Sequence, residues 1–126
     1  MVMGGSSEFG NVKYDNNGKI DKSRMPELVG SEKQIKWAQQ IREDAIGTVN
    51  KNIELAEERM EKVSGSSKKV FLETIDAYKE VGRQLSEELQ KITSASVMID
   101  RRNTFSGSRI NQLATKYQEF QRKKKK

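Results

Sequence analysis

From Ser31 onward, apolar residues return every three or four positions: Ile35, Ala38, Ile41, Ala45, Ile46, Val49, Ile53, Ala56, Met60 and Val63. That period marks one face of an α-helix. A run of this extent predicts about 30 helical residues, ~45 Å in length at ~1.5 Å per residue. Ser31, three residues ahead of Gln34, fits a capping box in which the two side chains satisfy orphan amides of the first turn. Pro26 prevents the helix from continuing through from the left. Trp37, the only tryptophan, is expected to add apolar surface at the edge of the stripe and to be buried there. Gly47 falls inside the helix, where a kink or a close helix approach would account for it.

Ser64-Gly65-Ser66-Ser67 interrupts this pattern; it is expected to end the first helix and to supply the N-cap of the next. The second stripe consists of Phe71, Ile75, Tyr78, Val81, Leu85, Leu89 and Ile92, predicting a helix over 67–93. Two stripes of similar length joined by a short Gly/Ser loop make an antiparallel αα-hairpin. Val97, Met98 and Ile99 are consecutive, so the segment 93–102 either continues the second helix or forms a short third element. Asn103-Thr104-Phe105-Ser106-Gly107-Ser108 is a break, after which Ser108 would cap a last helix carrying Ile110, Leu113, Ala114, Tyr117 and Phe120. The fold class is therefore all-α: a long antiparallel helical hairpin with a short C-terminal helix.

Upstream, Val12, Tyr14 and Ile20 flank Asn17-Gly18, a pair suited to a type I′ turn. Residues 11–29 thus read as a loop or a short β-hairpin, and Met1–Gly10 as a disordered lead. The helical domain is expected over 30–120, and residues 121–126 as a basic tail frayed by self-repulsion.

Composition narrows the core and the chemistry. Leu, Ile, Val and Phe make up about a fifth of the 126 residues, enough for a narrow helical seam. A last helix packed in cis would cover that seam and give a small bundle; otherwise a homodimer would have to cover it. Cys and His are absent, which excludes disulfides, thiolate or imidazole metal sites and nucleophilic schemes built on those residues. The adjacent acids Glu43/Asp44, Glu57/Glu58 and Glu87/Glu88 diverge by about 100° on a helix and do not converge on a substrate. A calcium-loop register with Gly18 at the sixth position puts Lys13 first and Arg24 twelfth, where oxygen ligands are required. No Gly-rich stretch has the phosphate-loop pattern. A non-enzyme without metal or cofactor is the expectation. The first ten residues lack the features of a secretory signal, and no apolar run approaches the ~18 residues of a membrane span; a cytoplasmic protein without a membrane partner is expected.

The formal net charge of +6 is concentrated at one end: the last 33 residues carry nine basic groups and two acidic ones. Arg101, Arg102, Arg109, Lys116, Arg122, Lys123 and Lys124 are the candidate phosphate-binding residues, with Phe105 and Tyr117 available to stack on bases. A nucleic-acid-binding accessory protein is one reading. The other is a protein-interaction or inhibitor module whose basic end docks on an acidic partner surface, the terminal lysines serving solubility alone.

Two blocks, GSEKQIKWAQQIREDAI at Gly30–Ile46 and ITSASVMIDRR at Ile92–Arg102, resemble a group of small, poorly characterised proteins of bacteria, phages and other mobile elements. That group pairs a GSxKQIxWAxxIR-like helix start with a later W-I-D-x-R-like run. Met98 stands where the second block's tryptophan would be, and the Cys-containing segment that precedes the first block in many relatives is missing here. The resemblance implies a helical accessory protein and no particular activity. It also implies that Trp37, Ile41 and Arg42 face Ile99, Asp100 and Arg102. In an antiparallel hairpin the start of the first helix lies beside the end of the second, so Trp37 and Ile99 would share a core end and Arg42 could pair with Asp100. These five residues, Trp37, Ile41, Arg42, Ile99 and Asp100, are the expected structural anchor.

Overall fold

Ser31 starts the first helix through the reciprocal bonds of a capping box. In the computed structural model, which describes residues 19–124, Gln34 N donates to Ser31 Oγ and Ser31 N donates to Gln34 Oε1, both at 3.2 Å. Helix α1 (Glu32–Glu61) follows, burying Ala38, Ala45, Ile46, Val49, Ile53 and Ala56. Helix α2 (Ser66–Lys91) returns against it, burying Ile75, Ala77, Tyr78, Val81, Gly82, Leu85, Ser86 and Leu89. The loop between them lacks the expected serine cap. Gly65 holds the N-cap position at φ 66°, ψ −140°, with no side-chain bond to the first turn. That conformation is open to glycine and strained for other residues.

The close approach of the two helices is also not where the sequence suggested. A Cβ added to Gly47 would meet nothing within 4 Å, whereas one at Gly82 would lie 2.9 Å from Val49 Cγ1. Gly82 is the position at which α2 needs a missing side chain.

The consecutive Val97, Met98 and Ile99 form a separate short helix, α3 (Ala95–Asp100), capped by Ser94 Oγ, which accepts from Val97 N at 3.4 Å. One turn of helix divides them: Met98 and Ile99 face the core, and Val97 is exposed. Before α3 the backbone is extended, and Val29 bridges to it in parallel. Val29 N donates to Thr93 O at 2.7 Å and Ala95 N donates to Val29 O at 2.8 Å. The segment 19–30 is thus a strap along the hairpin. Ile20 and Leu28 are buried, and Asn50 clamps Ile20 at both backbone groups, accepting from its N at 2.7 Å and donating to its O at 3.0 Å. The proposed Asn17-Gly18 turn lies outside the described residues, as do Met1–Gly10 and Lys125–Lys126.

Helix α4 (Gly107–Lys124) packs in cis, antiparallel to α2. Tyr78 Oη donates to Asn111 Oδ1 at 2.6 Å near its start, and Arg122 meets Glu73 at 3.2 Å near its end. The seam is therefore covered within the chain. Ser106, not Ser108, caps this helix: its Oγ accepts from Arg109 N at 3.2 Å. Ile110 and Ala114 are buried and Leu113 and Tyr117 pack against the core, but Phe120 is 58% exposed. The segment expected to fray from residue 121 is helical through Lys124. Four helices and the strap share one apolar cluster, in which Ile53, Leu89, Met98, Ile110 and Val49 are almost fully buried. Among the described residues, no helix is long and apolar enough to cross a membrane.

Candidate functional site

Helix α4 carries five cations, Arg109, Lys116, Arg122, Lys123 and Lys124, against one carboxylate, Glu119. The burial pattern fixes which way they point. Ile110 and Ala114 turn toward α2, so Arg109, Gln112, Lys116, Glu119 and Lys123, spaced three or four apart, form an exposed stripe. Arg109, Lys116 and Lys123 recur every seven residues along it, about 10 Å apart at ~1.5 Å per residue. Gln112, Lys116 and Glu119 of the stripe, with Ser108, Asn111 and Thr115 beside it, line a shallow depression.

Ion pairing separates the predicted cations into two groups. Arg122 is held by Glu73 at 3.2 Å and Arg101 by Glu88 at 3.1 Å. Among the described residues, no carboxylate lies within ion-pair distance of Arg109, Lys116, Lys123 or Lys124; Lys124 sits 5.7 Å from the Phe120 ring centroid. By contrast, Arg83 on α2 is engaged by Glu80 at 2.6 Å and Glu87 at 3.0 Å. The Arg83 hydrogen bond holds the Glu80 carboxyl below its ordinary pKa.

The predicted aromatic partners change places. Phe105 is 3% exposed and packs beside Val81, Leu85, Ile110 and Leu113, with the Arg101 guanidinium 5.4 Å from its centroid. A ring so enclosed cannot stack on a base. Tyr117 is partly buried and its hydroxyl accepts from Gln121 Nε2 at 2.7 Å. Trp37, expected in the core, is 51% exposed. It lies about 100° from Ala38 around the helix axis, off the stripe that α1 buries.

The remaining anchor residues assemble differently from the sequence expectation. Ile41 packs against the core edge and Ile99 is buried, but Arg42 does not pair with Asp100. Its Nη1 donates to the Pro26 carbonyl of the strap at 2.7 Å, and partial burial lowers its pKa from the ordinary value. Asp100 is exposed. Trp37 meets Arg102 instead, whose guanidinium lies 5.3 Å over the indole. Arg102 Nη1 also donates to Ile99 O at 2.9 Å, which fixes the guanidinium in that place.

Lys33, one turn before Trp37, and Lys36 beside it are both exposed. Counting charge along the chain misses them, because α1 carries more acids than bases; the i, i+4 spacing of Lys33 and Trp37 is the signal that could have marked the pair. Among the described residues, no group of three acidic side chains could hold a metal ion. Comparison with protein-family models, curated proteins and solved structures finds no match to this chain.

Proposed function

We propose that this protein is a non-enzymatic, cytoplasmic accessory protein that binds nucleic acid through the basic face of α4 and the adjoining Arg101–Arg102 turn. One observation carries this reading: Arg109, Lys116, Lys123 and Lys124 project from an ordered helix without a carboxylate partner among the described residues. Cations left unneutralised on a rigid element attract phosphates and release their counterions, which yields affinity without sequence readout. The paired Arg101 and Arg122 are the weaker contributors, because each must first give up Glu88 or Glu73. The resemblance of Gly30–Ile46 and Ile92–Arg102 to phage and mobile-element proteins supports the same setting, in which a small binding module serves a larger machinery.

Salt-titrated binding to a 20-base-pair duplex and to a 20-nucleotide single strand tests this. Affinity is expected to fall linearly with salt on logarithmic axes. Substituting Arg109, Lys116 and Lys123 by Gln together should flatten the slope by about 0.7–0.9 for each phosphate that is no longer neutralised. No salt-dependent binding to either probe at low ionic strength would overturn the reading in favour of an acidic protein partner.

A further inference from the structure

We propose that Trp37 and Arg102 form a stacking platform for an unpaired base, so that the nucleic acid this protein holds is single-stranded. The inference rests on the nucleic-acid reading above and names the form of its ligand. Trp37 keeps half of its surface in solvent with Arg102 already over the ring. The fold invests in this exposure: α3 and the turn after it bring Arg102 from the far end of the sequence onto the first turns of α1, and the Ile99 carbonyl holds it there.

A guanidinium has five N–H donors in a planar fork. Among the described residues, the hydrogen bond to Ile99 O is the one that the Arg102 guanidinium makes, so the rest of its fork can take a phosphate while the indole takes the base. Lys33 and Lys36 add charge on the same turns of α1. Lys33, Lys36 and Arg102 outnumber the exposed acids Glu32 and Asp100 at this end of the bundle, and a net cationic surround with an open aromatic ring is the composition of single-strand-binding surfaces. The cores of protein–protein interfaces, by contrast, are depleted in lysine. A duplex offers its phosphates to α4 but keeps its base faces stacked, leaving the indole unused. Asp44, two turns beyond Trp37 on α1, is engaged by Gln40 Nε2 at 2.8 Å.

Because Trp37 is the only tryptophan, its fluorescence reports the platform directly. The full chain is titrated with (dT)20 and with a 20-base-pair duplex, reading Trp37 emission together with the anisotropy of end-labelled probes. Quenching by (dT)20 and not by duplex is expected. Trp37→Ala should weaken (dT)20 binding by on the order of tenfold or more, with duplex binding unchanged, and Trp37→Phe should restore most of the affinity. Arg102→Gln should weaken the single strand more than the duplex. Thermal melts of the variants confirm that each is folded.

If (dT)20 binds by anisotropy but neither quenches Trp37 nor depends on it, the platform is overturned and the α4 reading stands. If neither probe binds, both fail. Emission that changes with protein concentration alone, while Trp37→Ala leaves (dT)20 affinity unchanged, would also overturn the platform and assign the patch to a second copy of the chain.

Discussion

The α1–α2 seam and the outer face of α4 are built from opposite choices. In the seam, small and branched side chains meet with Ser86 as the one buried polar residue that is not aromatic among those described, its hydroxyl accepting from Gln90 Nε2 at 3.0 Å, and Gly82 is bare because Val49 occupies the space a methyl group would need. Along α4, the inward side gives Ile110 and Ala114 to the core, and the outward side gives Arg109, Lys116 and Lys123 to solvent. Positions in the seam are fixed by volume, so their chemistry has little freedom. Among the described residues, Arg109, Lys116 and Lys123 on the outer stripe have no carboxylate within ion-pair distance, so their charge is not needed to hold the helix. Stability and binding should therefore be separable by mutation.

The largest expected effect is in the seam. Ile53 is fully buried, and Ile53→Ala should destabilise by ~2–5 kcal/mol through reduced transfer energy and the cavity left behind. Denaturant unfolding with an unchanged slope would check it. A change below ~1 kcal/mol would mean that the seam collapses around the cavity, and that its packing is looser than the close Gly82–Val49 approach indicates.

The two helical glycines give a sharper test because they should move in opposite directions. Gly82→Ala forces a Cβ against the stiff, buried Val49 and should cost ~1–3 kcal/mol despite the better helix propensity. Gly47→Ala meets open space and should gain up to ~1 kcal/mol. Melting temperatures of the two variants, one lowered and one raised, are the readout; two increases would move the close approach away from Gly82.

What the sequence disclosed depends on whether the deciding chemistry is local. The Ser31–Gln34 capping box involves residues three apart, and the start of α1 follows from them. The stripes of α1 and α2 are equally local, because helix period and core face are the same information. Trp37 was misplaced by its size: its angular position about 100° from Ala38 puts it outside the seam, and a large apolar side chain does not alter the angle. Phe105 sits in a turn without periodicity, so its burial depends on where α2 and α4 happen to meet. Asp100 is the acceptor the sequence offers Arg42, and the strap supplies instead a backbone carbonyl that no pattern in the sequence marks. Ser106 and Ser108 are both good caps two residues apart, a choice that local preference leaves open.

Between the seam and the outer face lies Tyr78, whose hydroxyl ties α2 to Asn111 of α4. Tyr78→Phe should cost ~0.5–1.5 kcal/mol by leaving that amide oxygen without its donor. Burial raises the Tyr78 pKa above its ordinary 10.0. The unfolded chain therefore releases the phenolic proton at lower pH than the folded one, and stability should decline as pH rises past about 10. The Phe variant should lack that part of the decline. Parallel alkaline declines in parent and variant would show that the Tyr78 phenol contributes nothing to the pH dependence of stability.

The smallest expected change in stability belongs to the face proposed to bind. With Arg109, Lys116 and Lys123 replaced together by Gln, three exposed cations without ion-pair partners among the described residues disappear, and Gln has nearly the same helix propensity as Lys and Arg. The net effect should stay within ~0.5 kcal/mol, because the relief of self-repulsion along α4 is offset by loss of the weak helical-spacing attraction of Glu119 for Lys116 and Lys123. Lys123 alone lies near the helix C-terminus, where a positive charge complements the helix dipole and offsets part of that relief. A large destabilisation would mean that the stripe serves the fold, and the separation between seam and surface would fail. Unchanged unfolding with weakened, less salt-dependent nucleic-acid binding would show that these charges act on a ligand and leave the bundle to its seam.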